Sequence, residues 1–160
     1  MPLLLTSPAF THGSTIPPKF TCDGENVSPP LEWSGVPAGT RSLALLVDDP
    51  DAPDPARPKK TWTHWLLYDI PQTTSGLPEG VAPEALPEGT RTGRTDQNET
   101  VWHGPCPPIG KHRYYFSLFA LDAVLGDLHT PTRAQFLAAV GDHVLSRVEL
   151  MGTYVRPPKE

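Results

Sequence analysis

The chain has 160 residues, the length of one domain (residues 1–160), enough to bury about two-thirds of its unfolded surface in a single core. With 13 basic residues scattered among 18 acidic ones and a formal net charge of −5, it lacks the electrostatic footprint of a nucleic-acid or anionic-membrane binder. Its 21 prolines break the apolar runs at short intervals, which favours a mainly β protein with long loops over a helical one.

The start offers only Leu3-Leu4-Leu5, too short for a signal-peptide apolar region, and no run approaches the length of a membrane span. The chain as given is therefore expected to be cytoplasmic and not stably inserted in a membrane. From Pro8 to Pro30 there is little periodicity, and Lys19 to Thr21 reads as a short strand. Leu31 and Trp33 then alternate toward one face, with Trp33 in the core.

Leu43 to Val47 is apolar at both parities, the pattern of a central strand buried on both faces. It breaks near Asp49 into Asp49-Pro50-Asp51-Ala52-Pro53, which cannot continue a regular ladder. Thr61 to Asp69 supplies the antiparallel return strand across a long loop, a pairing that lays His64 roughly opposite Asp49. Pro71 to Gly93 reads as loop with a short helical turn.

A strong strand follows at Arg113 to Leu121, with His112, Tyr114, Phe116 and Leu118 on one face. A C-terminal helix is expected from Thr130 as cap and Pro131 in the first turn, with Phe136, Leu137, Val140, Val144 and Val148 as its apolar stripe and Gly141 inside it. Glu149 to Val155 reads as a final strand. The cysteines, Cys22 and Cys106, lie in separate loop-like stretches; their number makes no disulfide framework, and a Cys22–Cys106 bridge and two free thiols both fit.

Three clusters fall at strand ends: Asp49 to Pro53, Trp62-Thr63-His64-Trp65, and Gly104-Pro105-Cys106-Pro107-Pro108 leading to His112-Arg113-Tyr114. Taken singly, the histidines fit structural roles, Tyr114 fits a core aromatic, and Asp49 and Asp51 fit loop-capping residues. His12, His103, His129 and His143 read as surface residues. Trp62, Trp65 and Trp102 read as packing residues or pocket walls.

Taken together, and with Cys22-Asp23-Gly24 and Ser28-Pro29-Pro30-Leu31-Glu32-Trp33, the clusters resemble the phosphatidylethanolamine-binding protein family, in particular its bacterial and archaeal branch, called Raf-kinase-inhibitor-like. The resemblance runs from about Phe20 to Leu121. It implies a β-sandwich built on a large central antiparallel sheet, with a small anion pocket at one end, and a homodimer is among its implications. It also implies a non-catalytic module for a phosphoryl or phosphoethanolamine-like headgroup, acting as a regulator through protein contacts.

The pocket set that the resemblance implies is Asp49, Asp51, Pro53, His64, Gly104, Pro105, Cys106, Pro107, Pro108, His112 and Tyr114, with no cofactor expected. A phosphate ester needs donors, which the ring N–H groups of His64 and His112, the Tyr114 hydroxyl and the Cys106 backbone N–H can supply. Asp49 fits an anion pocket either by accepting a hydrogen bond from a histidine or by sharing a proton with the ligand. Two enzymatic alternatives use the same residues. One is a hydrolase with Cys106 as nucleophile, His64 or His112 as base and Asp49 as orienter; the other is a divalent-metal enzyme ligated by Asp49, Asp51, His64 and His112.

Overall fold

The doubly apolar run Leu43 to Val47 lies in the middle strand of a five-stranded antiparallel sheet. The structure, a computed structural model, describes residues 2–157. In chain order its strands are β1 (Leu4–Thr6), β2 (Leu31–Ser34), β3 (Ser42–Ala52), β4 (Lys60–Ile70), β5 (Gly76–Leu77), β6 (Arg91–Thr92), β7 (His112–Leu121) and β8 (Val144–Tyr154), with one helix, α1 (Arg133–Val140), between β7 and β8. The large sheet has the order β6-β4-β3-β7-β8, and a second, antiparallel sheet has the order β1-β2-β5.

The two parities of β3 serve two cores. Leu43, Leu45 and Val47 pack between the sheets with Leu5, Leu31, Trp33, Trp65, Leu67, Phe116 and Leu118. Ala44 and Leu46 face the other way, under α1, with Leu66, Tyr68, Phe119, Phe136 and Val140. Each such leucine or phenylalanine removed from water contributes about 1.5–3 kcal/mol, so β3 is held from both sides.

Several elements differ from the sequence expectation. Pro18–Phe20 is a 3-10 turn rather than part of a strand, closed by Thr21, whose N–H and hydroxyl both donate to the Pro18 carbonyl. β3 does not stop near Asp49 but continues irregularly to Ala52, with a register shift between Asp49 and Ala52 that absorbs Pro50. The stretch Pro71 to Gly93 contains the short strands β5 and β6 besides a 3-10 turn at Pro83–Ala85.

The helix is shorter at both ends than its apolar stripe suggests. Thr132, not Thr130, is the cap: its hydroxyl accepts from the Gln135 N–H while the Gln135 side chain accepts from the Thr132 N–H. Gly141, with φ of 46°, stops the helix rather than lying inside it. Val144 and Val148 therefore belong to β8, where they fit a period of two. Among the described residues no helix is long and apolar enough to cross a membrane.

Candidate functional site

The end of β3 and the starts of β4 and β7 meet at one rim of the large sheet, where the ladder is irregular. Val47 pairs with Trp65 but Asp48 pairs with Thr63, so His64 is the extra residue of a β-bulge. Trp65 and Leu67 point between the sheets while Leu66 and Tyr68 point toward α1. An uninterrupted strand would send His64 with Leu66 to the helix side. The bulge turns it instead toward the inter-sheet side, where its ring meets that of Tyr114 edge-on at 5.3 Å.

The same shift corrects the expected pairing, because Trp62 rather than His64 lies opposite Asp49. The carboxylate's histidine partner is His112, whose Nδ1 lies 2.5 Å from Asp49 Oδ2. Asp49 Oδ1 accepts from the Asp51 N–H at 2.7 Å. His112 Nε2 faces the carbonyls of Ile109 at 2.9 Å and Pro53 at 3.1 Å. Carbonyls only accept, so Nε2 carries a proton, and a second proton is shared between Nδ1 and Asp49. The pair is net neutral whichever partner holds that proton. Burial pushes the Asp49 carboxyl up, against the downward pull of the His112 and Asp51 contacts. Both ring nitrogens of His112 are thus engaged within the protein.

His64 is bonded differently. Its Nδ1 lies 2.5 Å from the His103 carbonyl, and the His103 N–H donates back to the His64 carbonyl at 3.1 Å. Burial is the main cause that lowers its pKa to about 4, so the ring is neutral at neutral pH. His103 is not the free surface residue expected from the sequence: its ring stacks on that of His64, 6.0 Å between centroids and 6° from parallel. Tyr114 is buried beside both histidines, and its hydroxyl, close to the Asp49 carboxyl, makes no hydrogen bond of good geometry among the described residues. Burial first, then Asp49 and Asp51, pushes its ionisation far above the ordinary phenol range, so it stays a hydroxyl.

Asp49, Pro53, His64, Cys106, Pro107, Pro108 and His112 line a cavity of about 400 Å³, a size suited to a small ligand. Ala52, Trp62, Gln97 and His103 complete the lining. Of these, Ala52 and Gln97 carry no chemical signature in the sequence, and for His103 the one pointer is its place beside Gly104. The remaining expected residues stand behind the wall. Asp51 is clamped by Arg113, whose Nε and Nη2 reach its two oxygens at 2.9 and 2.8 Å, and this ion pair holds its pKa down. Gly104 donates its N–H to Asn26 Oδ1 and Pro105 accepts from the Cys22 N–H.

Cys106 is bonded to Cys22, a disulfide that ties the pocket wall to the 21–26 loop. It therefore has no thiol to act as the nucleophile of a hydrolase. The four side chains of the metal alternative do not converge either: Asp51 belongs to Arg113 and His112 to Asp49 and two carbonyls. Among the described residues no group of three or more His, Cys, Asp or Glu is placed to hold a metal ion.

A family model described as phosphatidylethanolamine-binding protein matches residues 6–155. A UPF0098 protein of Methanothermobacter thermautotrophicus is 47% identical over 154 residues, covering 95% of this chain and 98% of the relative. One of Chlamydia pneumoniae is 45% identical over 150 residues, covering 94% and 97%. Among solved structures, a phosphatidylethanolamine-binding protein homolog of Chlamydia trachomatis superposes with a TM-score of 0.89 at 41% identity, over 98% of this chain and 99% of that one. YbcL of E. coli, described as a member of the mammalian family, gives 0.87 at 30% identity, over 98% and 100%. The two-sheet, mainly β architecture with its helix near the C-terminus matches these neighbours.

Proposed function

Because the chain belongs to the phosphatidylethanolamine-binding protein family, we propose that the cavity at the rim of the large sheet binds a small phosphoryl-type headgroup without chemically converting it. The observation that carries this reading is the cavity of about 400 Å³ whose wall brings together Asp49, His64, His103, Cys106 and His112. The Tyr114 hydroxyl is buried next to the Asp49 carboxyl, behind the residues that line the cavity. The Cys106 N–H, unlike that of Gly104, has no acceptor among the described residues. Cys106 is half-buried in the cavity wall, and its N–H can be met by a ligand oxygen. The rest of the wall, Ala52, Pro53, Trp62, Pro107 and Pro108, suits the carbon skeleton of an ester.

Binding rather than catalysis is supported by the state of the reactive groups. The cysteine in the wall is a half-cystine, both His112 nitrogens are engaged, and among the described residues none of His64, His103 and His112 is hydrogen-bonded to a hydroxyl that it could activate. The test is an NMR titration with inorganic phosphate and then O-phosphoethanolamine, following the His64 and His103 ring signals. Saturable shifts in both rings of the parent, with the His103 shift lost in a His64→Ala, His112→Ala double variant that still folds, support the reading. Rings that stay silent at millimolar ligand overturn it.

A further inference from the structure

His64 lines the cavity and is 4% exposed. Its Nδ1 faces the His103 carbonyl, which can only accept, so Nδ1 holds the proton of the neutral imidazole. Nε2 is then a bare lone pair, and no described residue donates to it. The reciprocal bond from the His103 N–H to the His64 carbonyl fixes the two segments together, so the opposite tautomer would leave Nδ1 and a carbonyl facing each other as two acceptors.

The surrounding charges do not favour a dianion. From β3 comes Asp49 and from β7 come His112 and Tyr114; the Asp49–His112 pair is neutral and Tyr114 stays a hydroxyl. From the 95–103 segment come Asp96, which is bridged to Lys60 at 2.8 Å, and His103. No lysine or arginine is among the residues lining the cavity. The Born cost of burying an ion scales with the square of its charge, so a phosphate dianion pays about four times the desolvation of a monoanion here.

We propose that the pocket takes a phosphate monoester in its singly ionised form, with the remaining P–O–H donating to His64 Nε2, and discriminates against the dianion. His64 is on this view the specificity-determining acceptor, and the His103 carbonyl sets its tautomer. The inference rests on the phosphoryl reading above and adds to it the protonation state that is recognised. The acid proton of the ester stays on the ester and becomes a hydrogen-bond donor, so binding at neutral pH draws a proton from solvent.

Calorimetric titration from about pH 5 to about pH 8 tests it, with ethyl phosphate as the monoester and dimethyl phosphate as a diester that is a monoanion throughout but has no O–H. The second ionisation of a phosphomonoester lies near pH 6, so ethyl phosphate affinity should fall about 100-fold across this range, with proton uptake approaching about one per site near pH 7. Dimethyl phosphate should bind more weakly than ethyl phosphate at the acid end, with a flat profile. In a folded His64→Gln variant, whose amide can turn a donor toward the ligand, the fall for ethyl phosphate should shrink.

Ethyl phosphate affinity that is flat or rises with pH overturns the inference and leaves the phosphoryl reading standing. A dimethyl phosphate profile that falls in parallel assigns the pH dependence to the protein rather than to the ester, and overturns it equally. If neither ester binds at any pH, the phosphoryl reading fails and this inference with it. These wild-type titrations carry the test whether or not the His64→Gln variant folds.

Discussion

Opening the Cys22–Cys106 bond, with a dithiol reductant or by the paired changes Cys22→Ser and Cys106→Ser, should lower stability by about 2–4 kcal/mol. The bond joins residues 84 apart in sequence. The loop-entropy relation gives about 15 cal/mol/K for a loop of that length, or about 4.6 kcal/mol at 25 °C. That figure is an upper bound, because a reduced unfolded chain retains residual structure and so regains less entropy than the relation assumes. For a chain of this length each kcal/mol moves Tm by about 2–4 °C, so the melt should shift down by about 4–16 °C. Urea and thermal unfolding with and without reductant measure the effect, and free-thiol titration confirms that the bond has opened. An unchanged midpoint with both thiols shown free would refute the reasoning that this tether stabilises the pocket wall.

Other expectations follow from single contacts. A β-carbon at Gly104 would lie 2.3 Å from both Asn26 Oδ1 and the Phe20 carbonyl, so Gly104→Ala should destabilise by about 1–3 kcal/mol and weaken ligand binding more than a comparable change remote from the pocket. Thr132→Ala removes the capping box of α1 and should cost about 1 kcal/mol in a urea melt without altering binding. Arg113→Ala removes the clamp on Asp51 and should cost about 1–2 kcal/mol near neutral pH. The folded Asp51 pKa is held below its unfolded value near 3.9, so this contribution is complete above about pH 4 and is lost as pH falls through the folded value. The acid limb of the stability curve should therefore be shallower in Arg113→Ala than in the parent.

The sequence shows the sheet more clearly than it shows the rim of the sheet. Leu43 to Val47 is apolar at both parities because α1 covers one face of β3 and the second sheet covers the other, and that pattern identifies a central strand without further information. The C-terminal region was less legible. Val140, Val144 and Val148 continue a helical spacing, yet 144 and 148 share a strand parity as well, and Gly141 decides between the two by adopting a positive φ. The capping box was present in the sequence as Thr132 with Gln135, but Thr130-Pro131 gave a competing start signal.

At the site, residue types were legible and their partners were not. Asp49 and His64 sit near one another in a regular hairpin, but the bulge at His64 re-aims that side chain and leaves Asp49 to His112, 63 residues away. Bulges arise from local backbone geometry that no residue type here announces. The role of His103 depends on its main chain, since its carbonyl and N–H hold His64, and a backbone contact of this kind leaves no mark in side-chain chemistry. The Cys22–Cys106 bond likewise needed the fold to bring the two loops together.

The most direct test of the central claim is a crystal structure of the protein grown at about pH 5 with saturating O-phosphoethanolamine, below the second ionisation of the ester. The account predicts the phosphoryl group inside the cavity bounded by His64, Cys106 and Trp62, with an oxygen within hydrogen-bond distance of His64 Nε2. An empty cavity at saturating ligand, or a phosphoryl group bound elsewhere on the surface, would contradict it.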